Sequence, residues 1–247
     1  MFLFLLVSVF IYSEPLLAFT LTQQNIRGFP DEPLRIHLNA GCPDGVSGAL
    51  DTAVDFWNSA PHSGLVLERG ADVNYASGTI TSFSFAEPIV AFCSTNFSGD
   101  AGGVDPNTIG GIGTSGDFDN DGQLDRGYLI INANNGATAA FQNLDGANRE
   151  ILVIHEIGHV LGLGHSGDPG AIMYFSTANK SDVNIHRDDV DGIRHLYPQD
   201  ELGGDYLFGC ASIKNIKRPP PPPPFWILMA FPLSLLILLR KRKAHLL

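Results

Sequence analysis

His155-Glu156-Ile157-Gly158-His159-Val160-Leu161-Gly162-Leu163-Gly164-His165 is the stretch from which the rest of this 247-residue chain is read. His155 and His159 are four apart, so on a helix they leave the same face one turn apart. Two imidazoles so placed can each bring a ring nitrogen to ~2.0–2.1 Å from one zinc ion. Gly162 can end the helix at positive φ and swing the chain round, which carries His165 under the same ion as a third ligand. Three neutral ligands leave the ion its full charge and one open position, where a water is acidified from a pKa of 15.7 towards ~7. Glu156 is next to the first ligand and not itself a ligand. It is therefore placed to move that water's proton as general base and then general acid.

The flanking sequence supplies the elements such a helix needs. The helix is expected over 148–161, ended by Gly162 and Gly164. Tyr128, Leu129, Ile130 and Ile131 mark a buried strand over 127–133. Leu34, Ile36 and Leu38 alternate with polar residues, a strand signature, and Leu65–Glu68 reads as a second short strand. Between them, Ala49, Ala53, Phe56, Trp57 and Ala60 recur at helical spacing over 45–60, with Ser47 as a candidate cap. The Gly-, Ser-, Thr- and Asn-rich stretch 70–116 is expected to hold short strands and loops, with apolar patches at Ile80–Phe85 and Ile89–Phe92. A last helix over 186–197 carries Val190, Ile193 and Leu196 and stops at Pro198.

The eleven-residue motif resembles that of the metzincin zinc proteases, and the likeness continues beyond it. Met173, in Ala171-Ile172-Met173-Tyr174, stands where those enzymes place a methionine turn as an apolar floor under the metal. Ser166 after the third histidine, and Arg187-Asp188-Asp189-Val190-Asp191-Gly192-Ile193-Arg194-His195-Leu196-Tyr197, are similar to the matrixin branch. The resemblance implies an α+β catalytic domain: a twisted mixed sheet, a long active-site helix, and a small irregular C-terminal subdomain ending in a helix. It implies one catalytic zinc, cleavage of protein or peptide substrates, and Asp188 or Asp189 buttressing the site. The chain departs from the pattern in three ways. Phe175 follows Met173-Tyr174 where proline is usual, the ligand set of a second, structural zinc is missing, and no inhibitory prodomain is expected before the first strand. A binding or adhesion module that keeps the scaffold without turnover is the competing reading; an intact Glu156 speaks against it.

A second cation site is written into Asp117-Phe118-Asp119-Asn120-Asp121-Gly122-Gln123-Leu124-Asp125. Carboxylates at alternate positions around a glycine, with Gln123 offering its carbonyl, suit a structural Ca²⁺. Tyr128 stands where an EF-hand loop has its bidentate glutamate, and an exposed acidic turn is the alternative. Cys42 and Cys93 can pair in an oxidising compartment, leaving Cys210 as the odd one, modified or free.

Residues 19–218 hold 25 Asp and Glu against 11 Lys and Arg, a net charge of −14 that argues against nucleic-acid partners. Both ends read as processing segments. Residues 1–18 resemble a signal peptide, with an apolar core too short to span a bilayer and a cleavage site after Ala18. The protease domain is expected over 19–212, followed by a Pro-rich linker over 213–224 that includes Pro219–Pro224. Residues 225–247 carry an apolar run ending in Arg240-Lys241-Arg242-Lys243, a basic cluster that stays cytoplasmic. This tail is similar to bacterial C-terminal sorting signals, which would make a sorting protease a partner; a permanent membrane anchor is the simpler alternative. The product is expected outside the cytoplasm, at the cell surface, in the periplasm or released.

Overall fold

The computed structural model describes residues 19–30, 33–177, 180 and 183–199. The expected signal peptide, Pro-rich linker, basic tail and Cys210 lie outside those residues. In chain order the elements are β1 (Leu34–Leu38), α1 (Val46–Asn58), β2 (Leu67–Arg69), α2 (Ser77–Thr81), β3 (Ile89–Ser94) and α3 (Phe97–Asp100). They continue with β4 (Gly111–Gly116), β5 (Arg126–Asn132), α4 (Gly146–Val160) and α5 (Arg187–Leu196).

The five strands form one mixed sheet in the order β2-β1-β3-β5-β4. β1, β2, β3 and β5 are parallel, and β4 runs antiparallel to β5 at the edge. β3 and β5 are central and covered on both faces, which is why Ile89–Phe92 and Leu129–Asn132 are continuous buried runs instead of alternating ones. Side chains still alternate between faces. Ile89, Ala91, Leu129 and Ile131 join the large core with α1 and α4, while Val90, Phe92 and Ile130 join Ile80, Phe85 and Phe97 on the other side.

α1 and α4 pack on each other through Trp57, which is fully buried and donates its ring N–H to the Ile154 carbonyl at 3.0 Å. α4 begins earlier than its apolar pattern indicates, because Asp145 caps it by accepting the Asn148 N–H at 2.8 Å. Ser47 does not cap α1. Gly45, in the left-handed region at φ 91°, takes the N-cap position without a side-chain bond. Ile80–Phe85 is not a strand: α2 and a turn bury Ile80 and Phe85 into the smaller core. Cys42 and Cys93 form a disulfide with Cα atoms 5.1 Å apart, tying the loop after β1 to β3. Among the described residues no helix is long and apolar enough to cross a membrane.

Candidate metal centre

α4 delivers His155 and His159, and a tight reversal delivers His165. Gly162 has φ 106°, its N–H reaches the His159 carbonyl at 3.0 Å, and the Leu163 N–H reaches the Gly158 carbonyl at 2.9 Å. This pair of bonds is a Schellman closure, and it turns the chain back under its own helix. Gly164 serves differently from expectation. Its φ is not positive, but a Cβ there would overlap the Thr20 hydroxyl and crowd the Leu21 carbonyl. The segment at residues 20–22 lies along the reversal, with bonds between Thr22 N–H and Gly162 O and between Gly164 N–H and Thr20 O.

The ligand atoms of His155, His159 and His165 all lie within 4.8 Å of one another. The Nε2 atoms of His159 and His165 are 3.2 Å apart. Two nitrogens bound tetrahedrally to one zinc would be separated by about 3.3 Å. The other ring nitrogens are used as a metal site requires. His155 Nδ1 is 2.8 Å from the Ile172 carbonyl and His159 Nδ1 is 2.8 Å from the Leu163 carbonyl. A carbonyl can only accept, so both Nδ1 atoms carry the proton and both Nε2 lone pairs face the shared point. Burial, with the neighbouring His159 charge next, lowers the His155 pKa to about 4; burial likewise lowers that of His159. Neutral, pre-aimed imidazoles are what a zinc ion binds.

Met173 is buried beneath this cluster, where Gly158 makes room for it: a Cβ on Gly158 would overlap the methionine sulfur and press on Trp57. Of the two acidic candidates, Asp189 buttresses the turn. Its carboxylate accepts the N–H groups of Ile172 at 2.9 Å, Met173 at 3.1 Å and His186 at 3.0 Å. Burial outweighs those three bonds and raises its pKa. Asp188 is also buried and contributes none of these bonds.

Glu156 is buried at the rim of the cluster, and its Oε2 accepts the Gly113 N–H at 2.7 Å. Burial raises its pKa to about 7 against the opposing effect of that bond. Gly113 is a site residue that sequence reading missed. A Cβ there would overlap the Glu156 carbonyl, so only glycine lets β4 approach α4 closely enough to hold the carboxylate. Glycines at 111, 113 and 116 in one strand were the available signal. The cleft over the histidines encloses about 510 Å³, with Gly111, Ile112 and Gly113 on one wall and Phe175, Ser176 and Thr177 among its lining.

The acidic loop is looser. Ligand oxygens of Asp117, Asp119 and Asp125 lie within 4.8 Å of one another. Asp121 instead accepts the Gln123 N–H at 2.8 Å. The Asp121 N–H lowers the Asp119 pKa, but desolvation and the carboxylates of Asp121, Asp125 and Asp117 outweigh it, leaving a raised value.

Residues 94–198 match the sequence model of the Matrixin family. Over those residues the chain carries a matrixin-like metzincin domain. It is 34% identical over 140 residues to metalloendoproteinase 2-MMP of Arabidopsis thaliana, covering 52% of this chain and 34% of that protein. It is 57% identical over 49 residues to metalloendoproteinase 1 of Glycine max, covering 19% and 16%. It is also 44% identical over 52 residues to neutrophil collagenase of Homo sapiens, covering 20% and 11%. This chain therefore spans about a third or less of the relatives named here. In a matrixin-like domain, a donor set of three histidine ring nitrogens this close together fits one zinc ion.

Proposed function

We propose that this chain is a zinc-dependent endopeptidase acting on extended polypeptide segments. The carrying observation is the convergence of three imidazoles, two of them anchored by carbonyls, beside a buried carboxylate at the wall of an open cleft. Zinc held by His155, His159 and His165 would supply Lewis acidity and an acidified water. Glu156, at its raised pKa, can take a proton from the attacking water onto its carboxylate and hand it to the leaving amine. Gly113 fixes that carboxylate through its N–H, so the base does not have to be ordered at each turnover. β4 is the free edge of the sheet and lines the cleft, so an extended peptide can align beside it.

Two further parts belong to the same proposal. The Asp117, Asp119 and Asp125 oxygens would hold a structural Ca²⁺, with the Gln123 carbonyl and Asp121 nearby. Export to an oxidising compartment, with retention through the tail at 225–247 or release from it, is supported by the Cys42–Cys93 bridge and the character of the two ends.

The test is incubation of the full chain with denatured casein, with and without a strong zinc chelator, beside Glu156→Ala. Cleavage that stops on chelation, returns with zinc and is absent from the variant supports the proposal. Cleavage indifferent to chelation would sink the metal mechanism. Absence of cleavage with zinc stoichiometrically bound would favour a binding module.

A further inference from the structure

The lining of the cleft begins before β4, in the segment 104–110, of which Val104, Thr108, Ile109 and Gly110 border the same space as His155, His159 and His165. This segment has little regular structure. Its own bonds are local: Thr108 and Ile109 donate to the Asp105 carbonyl, and the Asp105 carboxylate accepts the Asn107 N–H. It also leaves Ile109 38% exposed within the cleft, an apolar side chain that neither core holds in place. Val104 packs against the smaller core at the start of the segment, but the stretch from Pro106 to Gly110 must be fixed by something else.

The attachment converges on one residue. Asn132, at the end of β5, is completely buried. Its side-chain NH₂ donates to the Pro106 carbonyl at 2.8 Å and the Ile109 carbonyl at 2.9 Å. Its backbone N–H donates to the Gly110 carbonyl at 2.9 Å. Its Oδ1 accepts the Asn134 N–H at 3.0 Å, which settles which end of the amide faces the wall. Both amide hydrogens and the carbonyl are used, so the side chain has one satisfied orientation. One further bond, from the Thr138 N–H to Asn107 Oδ1 at 3.1 Å, is exposed.

We propose that Asn132 is the positioning residue of the substrate cleft: by gathering the Pro106, Ile109 and Gly110 carbonyls it sets the height and register of the wall against which substrate lies. It does not touch the reacting atoms; it acts through Ile109 and Gly110. The proposal rests on the hydrolytic reading for what occupies the cleft. Asparagine suits the task because it offers two hydrogens in one plane on a short stem. Aspartate has the same shape and no hydrogen to give, so it would turn a carboxylate towards two carbonyl oxygens.

The experiment compares wild type with Asn132→Asp and, as an uncharged alternative, Asn132→Ala, in the zinc-loaded full chain. Each variant should keep one zinc and a kcat within about twofold of wild type, while KM for denatured casein rises about tenfold or more. Hydrogen exchange should speed up in 104–111 and stay unchanged in α4. A purely structural role would lower the folded fraction or kcat and leave KM unmoved, and that result overturns the proposal. Loss of folding in both variants overturns it as well. Binding of fluorescein-labelled denatured casein to Glu156→Ala, with and without Asn132→Asp, is read separately and needs no turnover. Should wild type cleave nothing, the hydrolytic reading fails, yet a tenfold weaker binding by the double variant still supports positioning; equal binding, or none by either, overturns it.

Discussion

The histidine centre and the acidic loop are both clusters of ligand-type residues, and the fold treats them in opposite ways. At the histidines, the packed core of α4, Met173 and Trp57 buries His155 and half-buries His159, carbonyls of Ile172 and Leu163 aim those two rings, and His165 closes the cluster from the exposed side. At the loop, Asp119, Asp121 and Asp125 are exposed, and the carboxylates spend themselves on the N–H groups of the same turn, at Phe118, Asn120, Asp121, Gly122 and Gln123. Ligand count alone therefore does not make two sites equal. Burial keeps His155 and His159 unprotonated and the carbonyls hold their rings in place, so no proton and little ring freedom has to be given up on binding an ion, whereas exposed carboxylates already hydrogen-bonded within their own turn must exchange those partners.

This contrast can be broken most forcefully at the histidines. His159→Ala should abolish stoichiometric zinc, read by elemental analysis, and lower kcat/KM for casein by about 10⁴ or more. A variant that kept both would end the comparison. Glu156→Gln should retain zinc and lose about 10³ in kcat. Asp189→Ala leaves two buried N–H groups and one part-buried N–H without their acceptor and should cost about 3 kcal/mol in denaturant unfolding.

A smaller effect tests burial directly. In chelated protein the folded state keeps a proton on Glu156 up to about pH 7, while the unfolded chain releases it near the ordinary glutamate value. The folded state thus binds the extra proton between those values, and stability falls as pH rises through that window. Glu156→Gln removes this titration. It should gain on wild type by at most about 1 kcal/mol per pH unit between about pH 5 and 7. The lowered pKa of His155 is common to both proteins and cancels. A pH-independent difference would mean that Glu156 is not desolvated. The smallest effect belongs to the loop: Ca²⁺ at millimolar concentration should raise the Tm of wild type by roughly 2–4 °C and leave Asp117→Asn unmoved.

How much was legible follows from which features are local. Helical spacing, the glycine reversal and β-branched strand runs are written within a few residues of one another, so α1, α4, α5, β1 and β5 are all readable. The apolar patch Ile80–Phe85, in a stretch expected to hold short strands and loops, is a short helix and turn because burial in a small second core, and not strand periodicity, makes it apolar. Ser47 lost to Gly45 at the cap because the chain enters α1 at positive φ, where glycine is favoured.

The amino-acid order by itself determined the proposed ligands, the proposed base and the turn that joins them, because three histidines on one helix and its reversal are short-range geometry. Only tertiary structure decided that Asp189 and not Asp188 holds the methionine turn, that Gly113 reaches across to Glu156, and that Asn132 carries the cleft wall. Each of those contacts joins residues 16 to 43 positions apart. A donor and an acceptor that distant meet only after sheet and helix have packed, and until then every other donor in the chain is an equal candidate.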